Sequence, residues 1–172
     1  MSLHAESVPA FRRTLKSLSQ CLDIASKDAK VRGYDVNVLL QSRLAPDQFN
    51  LTRNVQVACD TAKFVGVRLG GADAPKHEDG PATLDELQAR IEEVRSFLSG
   101  ADPAAFEQNG TETLTLMRGI TMVGEDYLRQ FAVPNFFFHA SMSYAILRHN
   151  GVKVGKMDFL GDVSMTPPPQ KA

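Results

Sequence analysis

The sequence predicts an all-α protein, a four-helix bundle with a small β-hairpin or pair of short strands between the third and fourth helices. Four segments carry regularly spaced apolar residues. In the first two segments the apolar residues are alternately four and three positions apart, which places those of each segment on one stripe of a helix. A further segment, residues 111–123, is rich in threonine and lacks this period. The chain has 172 residues, 43% hydrophobic and 23% charged, which is the size and composition of one globular domain.

Capping residues set the predicted limits of the first two helices. The first is predicted to begin near Ser7, with Pro9 close to its first turn, and to end at Gly33. The second is predicted to follow the N-cap residue Asn50 and to run to about Leu69. Their apolar stripes are Phe11, Leu15, Leu18, Leu22, Ala25 and Ala29 in the first helix, and Leu51, Val55, Ala58, Ala62, Val65 and Leu69 in the second.

The third helix is predicted to follow an exposed loop at residues 72–81, where charged residues, proline and glycine are mixed. Thr83 and Glu86 have the spacing of a capping box, in which each side chain satisfies a backbone donor at the start of the helix. The stripe of this helix is Leu84, Leu87, Ile91, Val94 and Leu98. The helix is predicted to stop near Gly100.

A hairpin and a last helix are predicted for the C-terminal half. Thr113–Met117 and Ile120–Val123 have strand character, and the loop at residues 99–134 is long enough for a crossover connection. Pro134 suits the first turn of a helix from about Asn135 to His149. That helix is apolar around nearly its whole circumference, which predicts burial on several sides.

Charge and composition limit the classes of partner. One domain is predicted over residues 1–161, followed by a disordered tail at residues 162–172. Nineteen Lys and Arg against twenty Asp and Glu argue against nucleic-acid binding driven by bulk phosphate attraction. No stretch approaches the roughly 20 apolar residues of a membrane span, so no membrane partner is expected. Cys21 and Cys59 lie in separate predicted helices, which fits free thiols in a reducing cytoplasm.

His139 is the first candidate for chemistry, because it is a polar residue in the most apolar helix. Helical geometry places it on one face with Asn135, Ser143, Ile146 and Asn150. A buried imidazole needs a partner, since an unpaired polar group is costly. Two interpretations stay open: a ligand-binding or acid–base histidine inside the bundle, or a core histidine that is hydrogen-bonded to a neighbouring helix.

Asp60 is the second candidate, and it lies almost opposite the main stripe of its helix. A second apolar face surrounds it, formed by Val57, Phe64 and Val67, with Gln56 and Asp60 embedded in it. That face could meet another helix, line a pocket or form a dimer contact. A buried carboxylate would need a basic partner or several donors. The alternative is an exposed aspartate bordered by ordinary surface hydrophobic residues.

Several motifs together carry a family resemblance. They are Arg43–Phe49, Gln56–Asp60, Pro134–His139, Tyr144–Gly151 and Gly155–Gly161, with the dipeptide Tyr127-Leu128. This set resembles a bacterial domain-of-unknown-function family within the DinB/YfiT-like superfamily of metalloenzymes. The resemblance covers Ser2 to Gly161 and implies a DinB-like four-helix bundle that is commonly dimeric.

The resemblance also implies where a metal would be bound. Active members of the superfamily hold a divalent ion with three histidines, one on the second helix and two one turn apart on the last. His139 matches the first histidine of the pair, whereas Ser143 holds the second position and Gln56 or Val57 holds the position on the second helix. Because imidazole is the usual ligand for such ions, we expect no bound metal and no cofactor.

Three functional hypotheses follow. The first is a cytoplasmic homodimer that has lost the metal site and acts as a small-molecule-binding or scaffold protein. Its candidate ligand-binding residues are Gln56, Asp60, His139, Ser143 and Tyr144. The alternative is an enzyme of the DinB-like class with His139 and Asp60 as catalytic residues, in thiol-linked transferase or detoxification chemistry. A purely structural partner protein is a third interpretation.

Overall fold

Four long helices dominate the computed structural model of the chain, which describes residues 2–164. The long helices are α1 (Leu3–Arg32), α3 (Leu51–Arg68), α4 (Leu84–Ser99) and α7 (Val133–His149). The shorter elements are α2 (Asn37–Leu40), α5 (Pro103–Gly110), β1 (Thr113–Thr115), β2 (Thr121–Val123), α6 (Gly124–Asp126) and α8 (Lys156–Leu160). A 3₁₀ turn at Met117–Gly119 joins the strands, and a π-helical segment at Tyr127–Ala132 joins α6 to α7.

The four long helices form the predicted bundle. Helix α1 packs against α4 and α7, and α3 packs against the same two helices. Consecutive long helices α1 and α3 are therefore diagonal neighbours, as are α4 and α7. The long connection between α4 and α7 makes the crossover that the loop length predicted. The apolar stripes of α1, α3 and α4 are buried in the shared core.

The first helix begins earlier than predicted. Its N-cap is Ser2, whose hydroxyl accepts a hydrogen bond from the Ala5 amide, and Ser7 is already a buried residue inside the helix. Ser7 donates to the carbonyl oxygen of Leu3 instead of capping. Burial of the Leu3 side chain holds the extra turns in place, although Pro9 then lies within the helix. The predicted end is confirmed, since Gly33 adopts a left-handed conformation with φ 75°.

The other predicted caps are confirmed. The side chain of Asn50 accepts a hydrogen bond from the Arg53 amide at 2.9 Å. Thr83 and Glu86 form both hydrogen bonds of the capping box at the start of α4. These two caps fix the starts of the two helices that frame the candidate site.

Between α4 and α7 the predicted hairpin is confirmed, and it is preceded by a short helix that was not predicted. Strands β1 and β2 pair antiparallel, with Leu114 opposite Met122. The unpredicted helix is α5, which has eight residues and buries Phe106 and Gly110. Its apolar content is too small to show a helical period, so only its N-cap Asp102 and the following proline marked it.

The last helix is less enclosed than predicted. It buries Phe136 and His139 against its neighbours, but the Phe138 side chain is 57% exposed. Residues 156–160 form the short helix α8, which packs against α1. At the start of the expected tail, Asp162 forms an ion pair with Lys16, and residues 165–172 lie outside the described residues. Among residues 2–164, no helix is both long enough and apolar enough to cross a membrane.

Candidate functional site

The imidazole of His139 is held by an amide from the neighbouring helix. Its Nδ1 lies 2.9 Å from Oδ1 of Asn54. The amide nitrogen of Asn54 donates to the carbonyl oxygens of Phe49 and Asn50, so its oxygen is the atom that faces the histidine. The Nδ1–H of His139 is therefore the donor, and Nε2 carries the lone pair.

The surroundings of His139 keep it neutral. Its side chain is buried, with 7% relative exposure, and the ring of Phe49 stacks on it at a centroid distance of 6.0 Å. Phe138 meets it edge-on at 5.0 Å. Burial, and after it the nearby charge of Arg53, lowers the pKa of His139 from its usual value. The histidine is thus an oriented neutral base at an aromatic part of the surface.

Ser143 and Tyr144, the other predicted site residues on α7, serve local packing. The hydroxyl of the fully buried Ser143 donates to the carbonyl oxygen of His139 one turn earlier, at 2.9 Å. The hydroxyl of Tyr144 lies 3.5 Å from the carbonyl oxygen of Val154. Both hydroxyls therefore donate to backbone carbonyl oxygens, and neither donates to the His139 side chain.

Asp60 is a partly buried carboxylate with two cationic partners. Its Oδ1 lies 2.9 Å from Nζ of Lys63, and its Oδ2 lies 2.8 Å from a guanidinium nitrogen of Arg90. Arg90 also binds Asp79, which in turn pairs with Arg53. Burial works against the ionisation of Asp79, but hydrogen bonds from Arg53 and Arg90 outweigh it and hold its pKa below the usual value.

This ionic network fastens the segment at residues 71–83, here called the strap, across α3 and α4. Arg90 donates to the carbonyl oxygen of Glu78 at 2.9 Å, and the amide nitrogen of Gln56 donates to the carbonyl oxygen of Gly80 at 2.9 Å. The predicted site residue Gln56 is therefore an anchor for the strap. Its amide oxygen is buried and has no hydrogen-bond partner among residues 2–164.

A histidine of the strap completes the network. Nδ1 of His77 lies 3.2 Å from Nζ of Lys63, and its Nε2 lies 2.8 Å from a carboxylate oxygen of Glu93. Because the ammonium group of Lys63 can only donate, Nδ1 accepts and the Nε2–H donates to Glu93. The sequence placed His77 in an exposed loop, and its burial against Lys63 follows from the docking of the strap.

Cavities border the strap on more than one side, and two of them have the volume of ligand sites. One of about 420 Å³ opens between the strap and α4, with Gln56, Lys76 and Arg90 among its lining residues. The other, of about 370 Å³, is called the α3 cavity here. It runs along one face of α3 beneath the strap, the hairpin turn and the π-helical segment.

The α3 cavity has cationic and aromatic walls. Its lining includes Arg53, Asp60, Lys63, Phe64, Arg68 and Tyr127. Asp60 lines this cavity, whereas His139, Ser143 and Tyr144 do not. No hydrogen bond or ion pair joins Asp60 to His139 within the described part of the chain. The two residues that the sequence grouped as catalytic therefore bind different partners, Asn54 for His139 and Lys63 with Arg90 for Asp60.

Arg68 and Tyr127 line the α3 cavity, although neither was a candidate from the sequence. A guanidinium nitrogen of Arg68 donates to the tyrosine hydroxyl at 2.8 Å, and the two residues are 59 positions apart. The sequence carries one relevant signal: Tyr127 lies in a motif of the family resemblance. No such signal identifies Arg68, because a single arginine near the end of a helix is common.

The side chains at the positions implied for a metal do not present ligands to a shared ion. Gln56 is bonded to the strap, Val57 is apolar, and the hydroxyl of Ser143 is bonded to a backbone carbonyl. These side chains do not fit a three-imidazole site around His139. Within residues 2–164, no group of three or more His, Cys, Asp or Glu side chains is arranged to hold a metal ion.

Comparisons with known proteins agree on the fold. A family model described as a domain of unknown function, DUF1993, matches residues 3–160. The chain is also similar to a solved structure, a DinB family member protein from Shewanella denitrificans, with 44% sequence identity and a TM-score of 0.90. That match covers 96% of each chain. No functionally curated protein matches the sequence.

Proposed function

This chain belongs to the DUF1993 family and has a DinB-like fold, and from that premise we propose that it is a small-molecule-binding protein whose ligand occupies the α3 cavity. The observation that carries the proposal is the cavity itself. Its volume of about 370 Å³ lies in the range of ligand sites, roughly 300–1,000 Å³. Aromatic side chains and a few fixed polar groups line it, which is the usual make-up of such sites.

The polar wall of the cavity is preorganised. Asp60 and Lys63 are each held by two partners, and Arg53 is paired with Asp79 of the strap. A ligand therefore meets groups that are already oriented, which lowers the entropic cost of binding. The strap and the hairpin turn form two sides of the cavity, so the same network that stabilises the fold also shapes the site.

Occupancy of the cavity can be tested with methionine methyl NMR during a fragment screen. Met117 lines the cavity, whereas Met157 lies on α8 and serves as an exposed control. We expect bound fragments to shift the methyl signal of Met117 and leave that of Met157 unchanged.

A matched pair of variants tests the location independently. Val57 and Val67 are both partly buried valines on α3, and only Val57 lines the cavity. Val57→Trp should abolish fragment binding by filling the space, and Val67→Trp should preserve it. Equal binding by the two variants would show that fragments bind elsewhere and would contradict the proposal.

We further propose that the superfamily's three-histidine metal site has been lost. The support is the donor set around His139, whose Nδ1–H is bound to Asn54 and whose expected co-ligand Ser143 is bonded to backbone. Protein purified without chelators should contain zinc and nickel far below one ion per chain. Stoichiometric metal that disappears in His139→Ala would overturn this part of the proposal.

A cytoplasmic homodimer without nucleic-acid or membrane partners is the proposed state. Phe49 and Phe138 are 51% and 57% exposed and flank His139, which gives an apolar face suited to a second copy. Free buried Cys21 and Cys59 support a reducing compartment. Sedimentation should give twice the chain mass of 18.9 kDa, and Phe138→Glu should shift the protein to monomer. Wild-type protein that sediments as a monomer at micromolar concentration would refute the dimer.

The enzyme alternative keeps one favourable observation, the fixed orientation and neutral state of His139. Its Nε2 lone pair would serve as a general base, as thiol-linked transferase or detoxification chemistry requires. Asp60 would not assist, because Lys63 and Arg90 hold both of its oxygens. Transfer of glutathione to an aryl halide at a rate that His139→Ala reduces and Asp60→Asn leaves unchanged would favour this alternative over binding alone.

A further inference from the structure

We infer that the ligand of the α3 cavity carries a carboxylate or phosphate group, which Arg68 and Tyr127 bind at the end of the cavity nearest the hairpin. This inference rests on the proposed function of the cavity and adds the chemical class of the ligand. It is carried by two neighbouring donors whose hydrogen-bonding capacity the described protein uses only in part.

Arg68 differs from the other cations of this region in its partners. Arg53, Lys63 and Arg90 each form an ion pair with Asp60 or Asp79. Among residues 2–164, by contrast, no carboxylate lies within 4 Å of the Arg68 guanidinium. Its recorded hydrogen bond uses one terminal nitrogen to donate to the hydroxyl of Tyr127 at 2.8 Å. The remaining N–H groups of its planar fork are available for an anion.

Two aromatic rings hold the guanidinium of Arg68. Its central carbon lies 4.9 Å from the ring centre of Phe64 and 5.0 Å from that of Tyr127. Phe131 stacks beside Tyr127 at a centroid distance of 6.0 Å. These contacts fix the position of the arginine fork without neutralising its charge, so its orientation is preorganised for a ligand.

Tyr127 supplies a second donor at the same place. The residue is buried, and its hydroxyl oxygen accepts the hydrogen bond from Arg68. Burial raises the pKa of Tyr127 despite the opposing effect of Arg68, so the hydroxyl keeps its proton. Within the described residues that proton has no recorded acceptor, and it can be donated to a ligand oxygen beside Arg68.

The chemistry of these donors selects the ligand group. A planar guanidinium fork binds carboxylate and phosphate oxygens bidentately, and charge-assisted bonds of this kind are roughly twice as strong as neutral ones. Three cationic side chains line the cavity against two carboxylates, Asp60 and Asp79, so an anion is also favoured by the overall charge. Phe64, Phe131 and Met117 form the apolar wall for the body of the ligand.

The test compares three probes of similar shape. Benzoate and phenyl phosphate carry the two anionic groups, and benzamide is a neutral analogue of benzoate. Titration followed at the Met117 methyl signal should give at least one anion a dissociation constant about tenfold below that of benzamide. The tighter of the two anions distinguishes a carboxylate site from a phosphate site.

Variants of Arg68 and Tyr127 then show whether these residues cause the preference for anionic probes. Arg68→Gln should reduce the anion's advantage over benzamide to about twofold or less, and Tyr127→Phe, which retains the ring, should reduce it about three- to tenfold. Arg32→Gln is the matched control, because Arg32 also lies over a tyrosine ring, that of Tyr34, but outside the cavity. It should leave all three affinities unchanged.

The outcomes separate this inference from the proposed function. If all three probes shift Met117 equally and Arg68→Gln changes none of the affinities, the cavity binds ligands but the anion inference is wrong. If no probe shifts Met117 at millimolar concentration in the wild-type protein, both the proposed function and the inference fail. Thermal denaturation of each variant shows whether a lost affinity reflects a lost fold, and Tyr127→Phe decides the matter if Arg68→Gln does not fold.

Discussion

Replacing Arg90 with leucine removes the side chain that joins α4 to both α3 and the strap. Arg90 is buried, and its guanidinium binds Asp60 at 2.8 Å, Asp79 at 3.0 Å and the carbonyl oxygen of Glu78 at 2.9 Å. Leucine retains part of the apolar stem but none of these bonds. We expect the substitution to destabilise the whole protein and to release the strap from α4.

The expected loss of stability depends on the ion pairs that Asp60 and Asp79 retain in the variant. Removing one member of a buried ion pair costs roughly 3–5 kcal/mol, because a charge is left buried and uncompensated. Asp60 still has Lys63 at 2.9 Å, and the side chain of Asp79 is 47% exposed and still has Arg53. The expected loss is therefore about 2–4 kcal/mol, or a Tm lower by roughly 5–15 °C for a chain of this length.

Urea unfolding followed by far-UV circular dichroism measures this loss, and a double-mutant cycle assigns it. Asp60→Asn should cost at least about 1 kcal/mol less in the Arg90→Leu background than in the wild type. Arg95→Leu is the control on the same helix, because Arg95 pairs with an exposed residue, Glu92, and should cost about 1 kcal/mol or less. A loss below about 1 kcal/mol for Arg90→Leu, or additivity within about 0.5 kcal/mol, would refute the structural role assigned to Asp60.

Three further predictions concern packing, thiols and pH. Gly124→Ala should destabilise the fold by about 1–3 kcal/mol in urea unfolding, since its Cβ would collide with the backbone oxygen of Asn109; unchanged stability would contradict this contact. Burial raises the pKa of Cys59 to about 12 and that of Cys21 to about 11, so a thiol-specific disulfide reagent should label neither before unfolding, and rapid labelling of native protein would disprove their burial. Burial depresses the pKa of His139 below its unfolded value of about 6.5, so the stability it provides is present above that pH and is lost as the pH falls through the folded-state pKa. His139→Gln should therefore show a smaller loss of stability between pH 7 and pH 5, and an identical pH profile would rule this out.

Local signals predicted most of the fold, and their limits explain the errors. The four core helices could be predicted because each stripe repeats over several turns, as in Phe11 to Ala29 of α1. The start of α1 could not, since Ser2 and Ser7 are equally good caps by type. The choice between them depends on the burial of Leu3, which contacts residues far along the chain: its amide donates to the side chain of Glu107. The short helix α5 was missed for the same reason, because its stability comes from tertiary packing.

In the candidate site, too, the sequence identified polar residues but not the residues that bind them. The sequence identified His139 as a core polar residue that needs a partner, and the structure supplies Asn54, 85 positions away. It also predicted that a buried Asp60 would need a basic partner or several donors, and the structure supplies Lys63 and Arg90. What it could not supply was the register between helices and the docking of the strap. Those long-range relations decide which polar groups meet, and they give His139 and Asp60 different partners.

The pairing of these polar groups determines where function is to be sought. Asp60 and Gln56 were candidates because polar residues on an apolar face need an explanation, and the strap is that explanation. The protein itself uses both carboxylate oxygens of Asp60 and the amide nitrogen of Gln56. Asp60 therefore shapes the wall of the α3 cavity and Gln56 anchors the strap, and we do not expect either to select the ligand. Arg68 and Tyr127 looked ordinary in the sequence, yet they keep donors that the described residues do not use. A polar ligand group gains most binding energy where the protein leaves its own donors unmatched. This difference in unused donors, more than the residue types, is why we propose that the ligand binds at the Arg68 end of the cavity.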